Sequence, residues 1–477
     1  MTARNMIVGP FNRVEGDLEI RLEVEDGRVS AAYANSPLFR GFEPMLLGKS
    51  PMDALTITPR ICGICSISQS SAAAAALASA AGASPAPQGA LVAALLHGIE
   101  NVCDHITHFN LFFCADFARP AYAGKSWHER AVARFTAMEG SAVRACVAAR
   151  AEILHIVGLL GGKWPHTLAI QPGGVTRAPT ARDKVRIQTT LQGFRRYLED
   201  VLLGASPEEF ASLSTASDIA NWRKGDAGLF MDIAQDLDLG RVGAGPGRYL
   251  SFGAYPIADD RAFAAGTWAA GQPGKVDIAL IKEDLSHAWM LGPTVHPQDG
   301  HTVPDEDMRD EAYSWCKAPR MQGQTMETGA FARQVIDGHA GALDLAAHGS
   351  SVMARVAGRL IEIARTQLLL EDWAADLRPE ERFMDAVQLA ENGEGVGLVE
   401  AARGALGHWI RIERGKIANY QIIAPTTWNF SPRDADGIPG PVEAALVGAE
   451  VGEDEDTPLS VQHIVRSFDP CMVCTVH

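Results

Sequence analysis

At 477 residues, 47% of them hydrophobic, the chain fits one large domain or two to three ordinary ones and can bury a sizeable core. A formal net charge of −16, with no basic run and no basic patch interleaved with aromatics, argues against a nucleic-acid binder. The apolar runs near Ala72–Ala81 and Leu91–Leu96 are too short to span a membrane, and Met1–Met6 lacks a charged start followed by an apolar run, so neither a membrane span nor a secretory signal is expected.

Along the chain, Leu18–Val24 alternates, Glu25-Asp26-Gly27 turns and Val29–Ala34 continues, which predicts a β-hairpin. After Pro51 the pattern is helical. Gln69–Ala81 is alanine-rich. Gly89–Phe113 carries Leu91, Leu95, Ile99, Val102, Ile106, Phe109 and Phe113 at three-to-four spacing, one long helix facing a core. Arg130–Leu160 and Ala181–Leu203 predict two more, with Gly161-Gly162-Lys163-Trp164-Pro165 as punctuation between them. Ser206–Ala216 predicts a short helix, capped by Ser206 and opened by Pro207. Val242–Pro256 reads as loop and strand. Its Gly243–Gly247 run is not a dinucleotide loop, because Pro246 interrupts it and no helix follows. Gly292–Pro304 is a polar loop, Thr328–Leu370 one long helix or a helix pair, and Glu413–Ile423 a second small sheet region. With no internal repeat and no low-complexity linker, one domain over 1–477 is expected. Its predicted class is mainly α (α+β), a long-helix bundle core with small peripheral β-sheets.

The chemistry is concentrated in the cysteines. Of the eight, Cys103, Cys114, Cys146 and Cys316 stand alone and read as small buried hydrophobes. The other four form two Cys-x-x-Cys pairs near opposite ends of the chain, Cys62-Gly-Ile-Cys65 and Cys471-Met-Val-Cys474. Four thiolates suffice for a tetrahedral soft-metal site, and the fold must then bring the chain ends together. A structural zinc site is the bland alternative, although zinc modules usually place their pairs a few tens of residues apart. A thioredoxin-like pair would follow a strand in a βαβ unit, and neither pair does.

Arg60-Ile-Cys-Gly-Ile-Cys65, with Asp469-Pro-Cys-Met-Val-Cys-Thr-Val-His477, resembles the paired signatures of the [NiFe]-hydrogenase large subunit. Further segments agree: Arg13-Val-Glu15-Gly16, Arg40-Gly-Phe-Glu43, His105-x-x-His108-Phe109, Gly161-Gly-Lys-x-Pro165-His166, Pro172-Gly-Gly-Val-Thr176, Tyr313-Ser-Trp315, Arg403-Gly-Ala-Leu-Gly-His-Trp409 and Pro425-Thr-Thr-Trp-Asn429. The related subunit of respiratory complex I shares the fold but lacks the four cysteines.

The resemblance implies a Ni–Fe(CO)(CN)2 cluster. All four thiolates would bind nickel, with Cys65 and Cys474 bridging to iron and Cys62 and Cys471 terminal. Heterolytic splitting of dihydrogen needs a metal and a nearby base for the proton. The implied candidates for that base are the Cys62 or Cys471 thiolate and the Arg403 guanidinium; as a persistent cation the latter is an unusual base and is suited to polarising the gas. Asp104 and Asp469 would hold Arg403, Glu15 would relay protons, and Thr426 would donate to an iron-bound cyanide, with Pro425 and Ala402 beside it. Glu43, the Ile422 carbonyl and His477 would bind magnesium. The family is made with a C-terminal extension removed after the position of His477, so the sequence resembles the mature form.

Three residues depart from the usual pattern. Gln69 stands where most members carry histidine, and Ile64 and Phe112 are bulkier than the usual valine and leucine. By resemblance they place the chain in the hydrogen-sensing, regulatory branch, where such residues narrow the gas channel against oxygen. Asp17, where many members have histidine, has no assigned effect. The expectation is a low-turnover, oxygen-tolerant, cytoplasmic sensor that reversibly cleaves H2. A small subunit with iron–sulfur clusters would take its electrons and a histidine kinase its signal. The alternatives are an energy-conserving uptake enzyme and, in another class, a structural zinc or scaffold protein.

Overall fold

The computed structural model describes residues 3–257 and 260–477. Ala3–Val8, Glu19–Glu25 and Arg28–Asn35 form an antiparallel sheet containing the expected hairpin. Its alternation turns Ile20, Leu22 and Val24 into the core. The alanine-rich helix starts earlier than its periodicity suggests and spans Ser66–Ala80, directly after Cys65. The long helix runs Pro87–Thr107, opened by proline at its first turn, and widens into π turns over His108–Phe113. It is buried along almost its whole length, including Glu100, Asn101, Asp104 and His105.

One long predicted helix is broken, and the segment expected as one helix or a pair forms three. Arg130–Leu160 divides into His128–Phe135 and Ser141–Gly161. In the turn between them Met138 takes φ 65°, and a Cβ on Gly140 would lie 2.2 Å from the Arg134 carbonyl oxygen. The apolar faces on both sides share one period, so periodicity alone does not register the break. Thr328–Leu370 becomes Ala330–Ile336, Ala340–Ala346 and Val352–Asp376, the last capped by Ser351, whose hydroxyl accepts from Ala354 N at 3.1 Å. Ser206 caps its helix as expected, accepting from Glu209 N, but that helix ends at Ala211 and Thr215 caps another over Ala216–Ala220.

The structure is therefore a mixture of helices and small sheets, and one of those sheets is not peripheral. Gly393–Ala401, Gly404–Glu413 and Lys416–Ile423 form an antiparallel three-stranded sheet buried over most of its length. It lies against the Ser66–Ala80 helix because both surfaces are pared down. A Cβ on Gly397 would lie 2.0 Å from the Ala72 carbonyl oxygen, and one on Gly395 would lie 2.1 Å from that of Ala76. Small residues on the helix and glycines on the strand allow backbone to meet backbone. The sequence presents these as unconnected features, so the sheet's central place is decided by packing.

Gly397→Ala is expected to force helix and strand apart and to lower stability by about 2–3 kcal/mol. Denaturant unfolding checks this, and an unchanged midpoint would mean that the contact yields without cost.

Candidate metal centre

Cys62 follows the short turn Thr58–Ile61, Cys65 precedes Ser66–Ala80, and Cys471 precedes the last short helix, Met472–Thr475, which contains Cys474. All four are buried and none forms a disulfide. Their Sγ atoms lie within 4.8 Å of one another: Cys62–Cys471 at 3.5 Å, Cys65–Cys474 at 3.3 Å and Cys471–Cys474 at 2.8 Å. The two pairs from opposite ends of the chain thus meet as their spacing predicts. Hydrogen bonds from the other three sulfurs, with Arg403 nearby, hold the Cys62 thiol well below the ordinary thiol range. Burial and the neighbouring sulfurs push Cys65, Cys471 and Cys474 up, so without a metal the four share protons around one favoured thiolate. Four convergent soft sulfurs, deprotonated on metal binding, suit nickel and low-spin iron, and this donor set fits the implied cluster.

Backbone pairing joins the chain ends. Glu15 N donates to the Pro470 carbonyl at 3.2 Å and Met472 N to the Glu15 carbonyl at 2.7 Å, a parallel bridge between Glu15 and Cys471. Arg40 ties the two cysteine loops. Its guanidinium donates to the carbonyls of Ile61 and Val473, each just before a cysteine, and its backbone N donates to the Val476 carbonyl. The Arg40-Gly-Phe-Glu43 segment drew attention to its glutamate, whereas its arginine makes the structural connection.

Glu100 was not singled out in the sequence. It accepts from Ile67 N and Ser68 N, both at 2.8 Å, and from the Ser68 hydroxyl at 3.0 Å and Trp164 Nε1 at 3.1 Å. It therefore caps, from another helix, the helix that Cys65 opens. Burial pushes its carboxyl up to about 7 despite these donors. The available signal was an acid within a core-facing helix.

Arg403 sits with Ala402 at the two-residue tip of the hairpin between Gly393–Ala401 and Gly404–Glu413. Its guanidinium donates to Asp104, to the Asp469 carboxylate at 3.2 Å and to the Asp469 carbonyl at 2.8 Å. Burial alone would lower its pKa, but the two carboxylates and the nearby Cys471 and Cys62 hold it well above the usual arginine value. Glu15 is half-buried, and burial together with the Cys62 charge raises its carboxyl above the ordinary range. Pro425 opens the helix Pro425–Asn429. The hydroxyl of the next residue, Thr426, accepts from Cys471 N at 3.1 Å, which leaves its proton free to donate.

Gln69 lies one turn beyond Cys65. Its Oε1 accepts from His408 Nε2 at 2.8 Å, and His408 Nδ1 accepts from the Tyr420 hydroxyl at 2.9 Å. Burial lowers the His408 pKa to about 3, so the imidazole is neutral. Gln69 Nε2 is buried without a partner. Ile64 packs partly buried on the core, Phe112 is half-buried with its carbonyl held by Arg13, and Asp17 is exposed. The four single cysteines are buried, as expected.

A second group lies beside Cys474. His477 Nδ1 donates to the Cys474 carbonyl, and its Nε2 stands 2.8 Å from the Ile422 carbonyl oxygen and 3.3 Å from Glu43 Oε1. Burial would raise the Glu43 carboxyl, but Lys317 and His477 bring it down to about 2. A hollow of about 10 Å³ among Glu43, Glu283, Lys317, Ile422 and His477 is of the size that holds one water. Glu283 Oε1 is buried there without a partner.

With this geometry in view, comparison with known proteins identifies the class. The family model described as nickel-dependent hydrogenase matches residues 40–141 and 145–477. The periplasmic [NiFeSe] hydrogenase large subunit of Desulfomicrobium baculatum is 30% identical, over 98% of this chain and 94% of that relative. Hydrogenase-2 large chain of Escherichia coli (strain K12) is 26% identical, over 100% of this chain and 97% of that one. The structure of H2-activated [NiFeSe]-hydrogenase from Dm. baculatum superposes with a TM-score of 0.87 at 28% identity, covering 100% of both chains. The chain belongs to the nickel-dependent hydrogenase family, oxidoreductases acting on H2. The zinc-scaffold alternative ends there.

One further node, Asp116, was also missed in the sequence. It is buried between Arg13 and Arg466, with Arg466 Nη1 at 2.8 Å, and Arg466 also holds Asn12 Oδ1 at 2.6 Å. Asp116 thereby fixes the loop that carries Glu15 to the segment that leads to Asp469. Burial would raise its carboxyl, but His463, Arg466 and Arg13 hold it well below the usual carboxylate range. A depressed folded pKa stabilises fully above the unfolded value near 4 and loses that contribution as pH falls through the folded value. Asp116→Asn is expected to cost about 3 kcal/mol or more at pH 7, with the gap to the parent protein closing in acid. Unfolding measured from pH 7 to pH 2 tests this: the gap should begin to narrow below about pH 4, and a gap that stays constant with pH would contradict it.

Proposed function

We propose that this chain is the large subunit of a regulatory hydrogenase that senses hydrogen by cleaving H2 reversibly and heterolytically at a low rate. The observation that carries the chemistry is the buried Arg403 guanidinium, fixed by Asp104 and Asp469 beside four convergent sulfurs. A Ni–Fe(CO)(CN)2 cluster held by Cys62, Cys65, Cys471 and Cys474 would supply the redox-active site for the gas. Arg403 stays cationic and polarises what binds beside it. Glu15, whose protonated form is favoured by burial, receives protons on the Cys62 side and passes them toward solvent. The free Thr426 proton would donate to a cyanide of that cluster, with Pro425 and Ala402 beside it.

Mg2+ suits the second group. A cation between Glu43 Oε1 and the Ile422 carbonyl would meet the His477 Nε2 lone pair, with Nδ1–H committed to the Cys474 carbonyl. Its role is to pin the last residue beside Cys474. The electrons require a carrier. The four remaining cysteines are isolated and buried, so a small subunit with iron–sulfur clusters receives them.

The sensor assignment rests on Gln69. Its carbonyl fixes the proton on His408 Nε2, so Tyr420 donates to His408 and His408 to Gln69, whose Nε2 is left buried without a partner. An amide does not titrate, so this line ends in a non-titrating amide one helical turn beyond Cys65, where histidine would add a proton-accepting group. Ile64 and Phe112 support a narrowed, oxygen-tolerant gas channel. A sensor of this kind works in the cytoplasm and passes its signal to a histidine kinase. Among the described residues no helix is long and apolar enough to cross a membrane.

An infrared spectrum in the triple-bond stretching window, with nickel and iron assayed on the same sample, tests the cluster. One CO band and two cyanide bands that shift under hydrogen are expected. A blank window with zinc at one per chain would overturn the reading. Gln69→His is expected to keep hydrogen cleavage and to lose signalling, and unchanged signalling in this variant removes Gln69 from the argument and favours the uptake alternative.

A further inference from the structure

Arg403 is held at its guanidinium end by Asp104 and Asp469, but a side chain is only as well placed as the backbone it leaves. That backbone is the two-residue tip of a hairpin, normally among the looser parts of a sheet. Here it is clamped from behind by a second arginine. Arg333, on the helix Ala330–Ile336, is completely buried. Arginine offers five N–H donors in a rigid plane. Arg333 uses all of them: Nε to Glu362 Oε2 at 2.9 Å, Nη2 to Glu362 Oε1 at 2.6 Å, Nη1 to Glu400 Oε2 at 2.7 Å, Nη1 to the Ala401 carbonyl at 2.8 Å and Nη2 to the Ala402 carbonyl at 2.9 Å. The last two acceptors are the consecutive carbonyls immediately before Arg403. One rigid plane therefore fixes the two peptide planes that set the direction in which the Arg403 side chain leaves the tip.

The carboxylates around Arg333 are themselves held. His105 Nε2 donates to Glu362 at 2.9 Å and Gln334 Nε2 at 3.1 Å, while Phe252 N donates to Glu400 at 2.7 Å. Asn101 donates to the Glu400 carbonyl at 3.1 Å, on the same strand. Asn101, Asp104 and His105 share one edge of the Pro87–Thr107 helix, so that helix meets the hairpin tip directly and through Glu362. Buried charge of this kind is poor value as stability alone, because desolvation offsets most of the attraction. What it supplies is geometry.

We propose that Arg333 is a positioning residue for hydrogen cleavage, setting where the Arg403 guanidinium stands beside the four sulfurs by holding the Ala401 and Ala402 carbonyls. This rests on the role given to Arg403 above. Lysine keeps the charge but lacks the planar fork and cannot hold both carbonyls together with both carboxylates.

The test is Arg333→Lys in the metal-loaded protein with its electron-accepting partner, beside Arg403→Lys and the parent. Turnover at saturating H2 is expected to fall about tenfold through misplacement of Arg403, with KM for H2 changed less than about twofold. Amide hydrogen exchange over 398–406 is expected to rise about tenfold, with that of Val352–Asp376 unchanged. Nickel and iron contents should match the parent. Turnover within about twofold of the parent at equal metal content, or exchange raised equally over Val352–Asp376, overturns the proposal. If Arg333→Lys does not fold, Glu362→Gln decides by the same readouts. It relieves the excess of two carboxylates over one guanidinium and turns an amide N–H against the fork, so faster exchange at 398–406 with lowered turnover is expected, and unchanged tip exchange overturns the proposal. Undiminished turnover in Arg403→Lys ends the reading of Arg403, and with it the catalytic half of the proposal, whatever the exchange shows.

Discussion

The metal centre is built against the polar edge of one buried helix, Pro87–Thr107. Glu100 on that edge caps the helix that follows Cys65, Asn101 and Asp104 hold the Arg403 hairpin, and His105 holds it through Glu362. Just beyond, His108 donates to the Arg466 carbonyl at 2.7 Å, three residues before Asp469. Residues three and four apart share a helical face, so a single rigid rod aligns the three chain segments that make the site. The Ile67 and Ser68 amides it engages lie at a buried helix start and would otherwise be unpaired, which makes a shift of that segment costly.

Charge in this interior is arranged around arginines. Arg403 lies between Asp104 and Asp469, and Arg333 between Glu362 and Glu400, while Asp116 reverses the pattern by lying between Arg13 and Arg466. Such groups add little net stability, because removing them from water offsets most of the mutual attraction, but each guanidinium permits only a few arrangements of its neighbours. Glu15 differs: it is half-buried and has no arginine salt bridge of its own among the described residues, which suits a group that exchanges protons with its surroundings.

Much of the site could be read in the chain because it depends on residue type and local spacing. Two Cys-x-x-Cys pairs foretold four sulfurs meeting, and they meet. The hairpin after Leu18 and the long helix before Phe113 follow from alternation and three-to-four periodicity. The break at Met138–Gly140 was not legible, because the apolar period runs through it and it turns on one or two residues, and the segment 328–370, expected as one helix or a pair, forms three. Arg40, Glu100, Asp116 and Arg333 were assigned no role, since each acts through a partner far away in sequence. Of the buried sheet over Gly393–Ile423, only the last strand was expected, within Glu413–Ile423; the first two carry glycines that read as weak strand formers until the alanine-rich helix lies across them.

The sequence by itself determined the chemistry of this protein. Soft sulfurs in two spaced pairs, a histidine three residues after the second pair and a net charge of −16 are properties of residue identity, and they hold whatever the fold. The tertiary structure decided geometry and protonation. Arg403 becomes a fixed cation only when Asp104, Asp469 and Arg333 reach it from other elements. Glu43 acquires a depressed pKa only when Lys317 and His477 are brought beside it, and the Gln69 carbonyl becomes a fixed acceptor only when His408 and Tyr420 line up behind it. Burial and long-range contact set the strength of these groups, and both arise only when distant segments pack together.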